Sequence, residues 1–323
     1  MPYPRTDHYD GQHFFNPEPT IRAPEGRRAG FLTVLRARLR REPGSWATWP
    51  KFLENAPYPA PAGAAPDITW IGHVTFLLRL PGLNVLTDPV FSARCSPSRL
   101  VGPKRVRAPG IALEDLPRID LILLSHNHYD HLDLPSLRRL HARFPAAQIV
   151  TLLGNAPYLA KKRIPGAREL DWWETHVVHG AHVTATPARH FSARTLWDRN
   201  ETLWGGFYLN HKAHKIYFAG DTGYTKFFTD IHHRLGPPDL ALLPIGAYEP
   251  RWFMGPVHMN PQDAVQAFTD LRAARAIGMH FGTFQLTAEA IDAPLHDLAA
   301  AREAAGISPE AFFTLETGQT ARL

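Results

Sequence analysis

Downstream of Asp67 the chain is built of short apolar runs, rich in Val, Ile, Leu and Phe, that are broken by Gly, Pro, Asn and Asp. Runs of this kind predict strands. They are expected at 68–80 and 83–88, paired through a turn at Pro81-Gly82, and at 119–124, 148–153, 182–187, 203–209, 215–219, 239–244, 275–279 and 312–316. Apolar residues three and four apart predict helices over 134–144, 155–163, 261–272 and 287–305. The third of these has a defined start, with Asn260 as N-cap, Pro261 at the first helical position and Asp263 in the first turn. Strands outnumber helices and several pair as hairpins, which argues against a doubly wound parallel sheet. An α/β fold of two mixed sheets facing each other with helices outside, an αββα sandwich, is expected.

Upstream the pattern changes. Residues 1–66 are Pro-rich and irregular except for a helix expected at about 30–41, and 57–66 reads as an extended linker. The expected division is therefore an N-terminal extension and linker packing on the core, 1–66, and a catalytic domain, 67–323. Within 21–51 stand eight Lys/Arg and two Glu, a net +6, so the rest of the chain carries −1 of the total +5. A local basic segment in an otherwise near-neutral chain points to contact with an acidic surface or to a solvated helix face.

Over 323 residues, 44% hydrophobic and 20% charged positions supply a large core and no disorder signature. No apolar run reaches the ~18 residues of a transmembrane helix. The opening residues lack a basic region followed by an apolar stretch, so a cytoplasmic protein, peripheral to the inner membrane face at most, is expected. Cys95 alone excludes an internal disulfide and a thiolate-built zinc site.

Histidine occurs 18 times. The run Ser125-His126-Asn127-His128-Tyr129-Asp130-His131-Leu132-Asp133 leaves a fully apolar strand and precedes a helix. So many ligand-type groups at a strand end are costly to desolvate without a partner. In extended chain His126 and His128 point to one side and can share an ion, while the turn carries Asp130 and His131 to a second position. Imidazole and carboxylate without thiolate suit zinc, with iron or manganese also accepted. Three further strands each end in one such residue, His190, Asp221 and His280. Delivery to a common sheet edge is the expected design.

These residues resemble the metallo-β-lactamase fold hydrolases, and more narrowly the N-acyl-phosphatidylethanolamine phospholipase D family. The resemblance rests on SHNHYDHLD (125–133), ELDWWE (169–174), FAGDTGY (218–224) and PIGAYEPRWFM (244–254), with WIGHVTFLL (70–78) and the stretch 86–105 also similar. HYDGQHFFNP (8–17) is similar to bacterial members. The resemblance implies two zinc ions per chain, one on His126, His128 and His190, the other on Asp130, His131 and His280, with Asp221 bridging. It also implies hydrolysis of a phospholipid to phosphatidic acid and an N-acylethanolamine-type alcohol by attack of metal-bound hydroxide on phosphorus. Two divalent ions with two carboxylates and a hydroxide leave a net charge near +1, which favours an anionic phosphodiester. The alternative within the fold is a lactonase or ester hydrolase acting on a small anionic substrate.

Asp130 is expected to take the water's proton as well as to ligate, and His258 to hydrogen-bond phosphate or deliver a proton. His73 and Asp88 are candidates for orienting ligand imidazoles. Substrate contacts are expected from Arg99, Tyr129 and Trp252. Arg99-Leu100 stands where animal members of the family have Gln-Tyr, which separates substrate choice from the metal chemistry. The acid-free stretch 89–113, with Arg94, Arg99, Lys104, Arg105 and Arg107, is a candidate for phosphate or an anionic bilayer. Tyr248, Trp252, Phe253 and Met254 are candidates for an acyl groove or for internal packing. A nucleic-acid partner is not expected, because no nucleic-acid module accompanies the basic segment. The oligomeric state is not legible.

Overall fold

The computed structural model describes residues 3–17 and 66–323. The basic segment, the helix expected at about 30–41 and all of the linker but Pro66 lie outside the described residues. Strands β1 (Asp67–Gly72), β2 (Thr75–Leu80) and β3 (Leu83–Thr87) form an antiparallel meander. β3 then runs parallel to β4 (Leu121–Leu124), followed in the same sense by β5 (Gln148–Leu152) and β6 (Arg168–Leu170). The second sheet repeats this plan. β7 (Thr175–Val178), β8 (Ala181–Thr186), β9 (Gly206–His211) and β10 (His214–Phe218) are antiparallel neighbours. β11 (Leu240–Pro244), β12 (Arg275–Met279) and β13 (Phe312–Phe313) continue from β10 in parallel. β14 (Thr320–Arg322) returns to pair antiparallel with β1, giving two mixed sheets of seven strands each.

β4 shows how the layers form. Its four residues LILL are all buried. Leu121 and Leu123 face the core between the sheets with Trp70, Phe76, Phe207 and Phe218. Ile122 and Leu124 face the opposite way, onto Leu137, Leu140 and Leu159 of helices α1 (Leu134–Arg143) and α2 (Asn155–Lys161). Each such buried aliphatic side chain contributes about 1.5–3 kcal/mol, and a strand covered on both faces needs no alternation. On the far side, α3 (Phe227–Leu235), α5 (Pro261–Leu271) and α6 (Ala293–Ala305) cover the second sheet, with α4 (Arg251–Met254) a short turn before α5. The expected αββα sandwich is the observed fold. Among the described residues no helix is long and apolar enough to cross a membrane.

Three departures from the expected elements matter. The strand expected over 68–80 is two strands, turned at His73-Val74, where Gly72 and His73 have φ of 133° and 56°. The apolar run hides this turn, because Val74 is buried like its neighbours. β6, β7, β14, α3 and α4 were not expected, and all but α3 are four residues or shorter. The last helix begins at Ala293, not 287, where Pro294 opens it. Residues 3–17 lie against the body, with Phe14 buried and its N–H donated to the Asn200 carbonyl at 2.8 Å.

Candidate metal centre

β3, β4, β8, β10 and β12 all end at one edge of the sandwich, and each releases a chemically active residue there: Asp88, the 125–131 loop, His190, Asp221 and His280. Gly220, just before Asp221, has φ of 60°, and a Cβ on it would lie 2.7 Å from the Gly205 carbonyl oxygen and 2.8 Å from the Ser125 Cβ. Only glycine brings the chain this close to the loop opposite.

The side chains gather into two clusters. In one, His128 Nδ1 lies 2.8 Å from His126 Nε2 and 3.2 Å from His190 Nε2. In the other, Asp130 Oδ2 lies 3.0, 3.3 and 3.5 Å from the Nε2 atoms of His73, His280 and His131. Asp221 stands between them, its Oδ2 at 3.1 Å from His131 and His280 and 3.8 Å from His190. His258 Nδ1 is 3.9 Å from the same oxygen. All seven residues expected to be ligands are thus brought together.

The far ring nitrogens of His126, His131 and His190 hold these imidazoles in orientation. His131 Nδ1 donates to Asp88 Oδ2 at 2.7 Å, and His190 Nδ1 to the Val257 carbonyl at 2.9 Å. His126 Nδ1 donates to Ser125 Oγ at 2.9 Å, and that hydroxyl donates to Asp88 at 2.5 Å. For His126 and His190 such contacts select the tautomer and leave the inner nitrogen's lone pair facing the centre. Asp88 thus orients imidazoles as expected. His73 instead contacts the carboxylate of Asp130.

Burial pushes His126 and His190 well below the usual histidine range, with crowded imidazoles adding to it. Burial also takes His128 and His258 down to about 4 and His73 to about 3. For His131 and His280 burial acts in the same direction, but Asp221 and Asp130 override it, raising His131 well above the usual range and His280 to about 9. Conversely, burial raises the two carboxyls, yet His131 and its neighbours hold both well below theirs. Without a cation the centre therefore keeps protons on His131 and His280, and a bound ion would displace them.

These residues fit a metal. His258 Nδ1 and Asp221 Oδ1 are buried without a hydrogen-bond partner, and His131 and His280 face the Asp130 and Asp221 carboxylates through Nε2, where a bound ion would take the place of the protons. His126, His128 and His190 offer ligand atoms within 4.8 Å of one another, as do His73, Asp130, His131 and His280. Nitrogen and carboxylate donors of this kind suit a borderline divalent ion.

Arg194 was not expected. Its Nη1 donates to the carbonyls of Asn127 and Leu132, stapling both ends of the ligand loop, while its guanidinium lies 3.9 Å over the Tyr129 ring. No local pattern marks this residue, since its partners are more than sixty positions away. Tyr129 returns a hydroxyl hydrogen bond to the Arg194 carbonyl at 3.1 Å. Arg99 stands exposed on the tip of its loop, and Trp252 is exposed on α4. Two of the basic residues of 89–113 face inward. Arg105 donates to the carbonyls of Val90 and Ser92, and Arg107 pairs with Glu316 at 3.0 Å. Tyr248 packs internally, its hydroxyl on Asp297.

The sequence model of the family described as Beta-lactamase superfamily domain matches residues 83–281. An uncharacterised protein of Mycobacterium tuberculosis is 44% identical over 73% of this chain and 64% of its own length, so the chain spans less than two thirds of that relative. An N-acyl-phosphatidylethanolamine-hydrolyzing phospholipase D of Caenorhabditis elegans is 39% identical over 78% of this chain and 74% of its own. Among solved structures, a metallo hydrolase of Ignicoccus hospitalis superposes with a TM-score of 0.62 at 23% identity, covering 80% of this chain and 98% of the other, which bears on the fold alone. The chain belongs to the β-lactamase superfamily and has the metallo-β-lactamase fold.

Proposed function

We propose that the chain is a binuclear phosphodiesterase that hydrolyses N-acyl-phosphatidylethanolamine, or a related phospholipid, to phosphatidic acid and an N-acylethanolamine-type alcohol. The carrying observation is Asp221, whose one carboxylate faces His190 on one side and His131 and His280 on the other. A carboxylate so placed suits a bridge between two ions, held by His126, His128 and His190 and by Asp130, His131 and His280. Zinc is the reading, with iron or manganese accepted by the same donors. Ions held there would supply a water acidified to near neutrality and a positive field for phosphoryl oxygens.

The protein supplies the rest. Asp130, ionised and placed among His73, His131 and His280, can accept a proton from attacking water. His258, neutral near pH 7 because burial holds it at about 4, is better suited to donate a hydrogen bond to a phosphate oxygen than to deliver a proton. The substrate class is supported by the name of the worm relative. A lipid surface is supported by two exposed tips: Leu100 and Val101 are 84% and 70% exposed, and Leu196 and Trp197 are both 86% exposed. The stems of both loops meet at Tyr129, which packs beside Cys95 and bonds Arg194. Exposed aliphatic and Trp side chains with cations nearby favour the bilayer interface.

The test is purified protein with N-acyl-phosphatidylethanolamine vesicles, a lactone and single-stranded DNA, with and without a chelator, in ¹⁸O-water. Chelator-sensitive turnover of the lipid with label in the phosphatidic acid is expected. Label in the alcohol overturns attack at phosphorus, and preferential turnover of the lactone establishes the lactonase in its place.

A further inference from the structure

We propose that Asn16 is a positioning residue for His190, fixing its backbone from a strap 174 residues earlier in the sequence. The inference rests on the metal-centre reading above. Asn16 Nδ2 donates to the His190 carbonyl at 2.9 Å, and Asn16 Oδ1 accepts the His190 N–H at 3.2 Å, across 174 residues. His190 lies in the irregular stretch after β8, where no strand partner serves its backbone, and it is fully buried. Buried N–H and C=O groups must find partners, and one carboxamide satisfies both. The preceding residue is held separately, Arg189 by Thr222 Oγ1 and the Gly223 N–H. With the ring tied to the Val257 carbonyl, backbone and imidazole are fixed from two directions, and Nε2 is aimed at His128.

The strap is itself anchored. Tyr3 donates its hydroxyl to Glu169 at 2.7 Å, and His8 sits between Asp7 and Asp171, at 2.7 Å from each. The His8 ring stacks on Trp172 at 4.3 Å. Trp172 donates to the Trp204 carbonyl, and Trp204 to the Ala188 carbonyl, two residues before His190. Anchor and ligand loop thus share one stack of side chains. The match to the family begins only at residue 83, so this strap lies outside the stretch that defines it. Asparagine is specific here. Aspartate keeps the shape but turns a lone pair toward the His190 carbonyl, and glutamine is one methylene too long.

The experiment loads the full chain with cobalt(II) or zinc and compares wild type with Asn16→Ala, Asn16→Asp and the exposed strap variant His13→Ala. Groups that orient a ligand change metal affinity by about 10–100-fold when lost. Asn16→Ala and Asn16→Asp are expected to release metal to a chelator at least tenfold faster and to alter the cobalt(II) visible spectrum. His13→Ala should match wild type in both, and melting curves should show all the proteins folded. The isosteric Asn16→Asp variant carries the test should Asn16→Ala fail to fold. Wild-type release rates and spectra in both Asn16 variants overturn the role, as does an equal effect of His13→Ala, which would make the strap merely structural. A wild-type chain that holds no metal overturns the metal-centre reading and this inference together.

Discussion

At Asp88 one carboxylate serves both ligand clusters. Its Oδ2 accepts from His131 Nδ1 and from the Ser125 hydroxyl that in turn accepts from His126, and its Oδ1 accepts the Ser125 N–H at 2.7 Å. Asp88→Asn must turn an NH₂ group toward one of these donors. The expected result is a 10–100-fold weaker affinity for metal, read by chelator competition, with the fold retained. His8 bears on stability. Burial lowers its pKa, but Asp171 and Asp7 override this and raise it above the usual value. A raised folded-state pKa means stability that is fully present below the unfolded value of ~6.5 and is lost as pH rises through the folded one. Wild type should therefore melt higher than His8→Gln at pH 6, and the gap should shrink at increasingly alkaline pH. A gap that is constant with pH would show that His8 acts through its ring stacking alone.

Local chemistry made some elements legible and left others hidden. α5 is the clearest case. Asn260 Oδ1 accepts the Asp263 N–H at 2.8 Å, and the Asp263 carboxylate reaches back to the Asn260 N–H at 3.3 Å, the reciprocal pair its spacing implies. Asn260→Ala is expected to cost about 1 kcal/mol by denaturant unfolding, and because the cap follows His258 by two residues, it should also loosen the loop bearing that histidine. α3 was missed although Phe227, Phe228, Ile231 and Leu235 fall on one helical face, because the helix is only nine residues long and Asp230 with the run His232-His233-Arg234 makes nearly half of it polar. The ligand histidines were readable because each lies in the short stretch that follows a strand end. Asn16, Arg194 and the Val257 carbonyl were not, since each acts on a partner more than sixty residues away and leaves no local period.

At the scale of the molecule, neither sheet owns the centre. The first contributes His126, His128, Asp130 and His131 after β4; the second contributes His190, Asp221 and His280 after β8, β10 and β12. This division has a consequence for the order of events during biosynthesis. A nascent chain that has emerged only through β5 carries four of the candidate ligand side chains but neither cluster complete. The second cluster closes only when His280 arrives, and β14 must still return to β1 to finish the first sheet. On the proposed reading, ion capture would be a late event, available only once both halves have met. A bound ion would then act as a clasp between the halves, so opening of the sandwich would cost its release as well as the packing of the sheets.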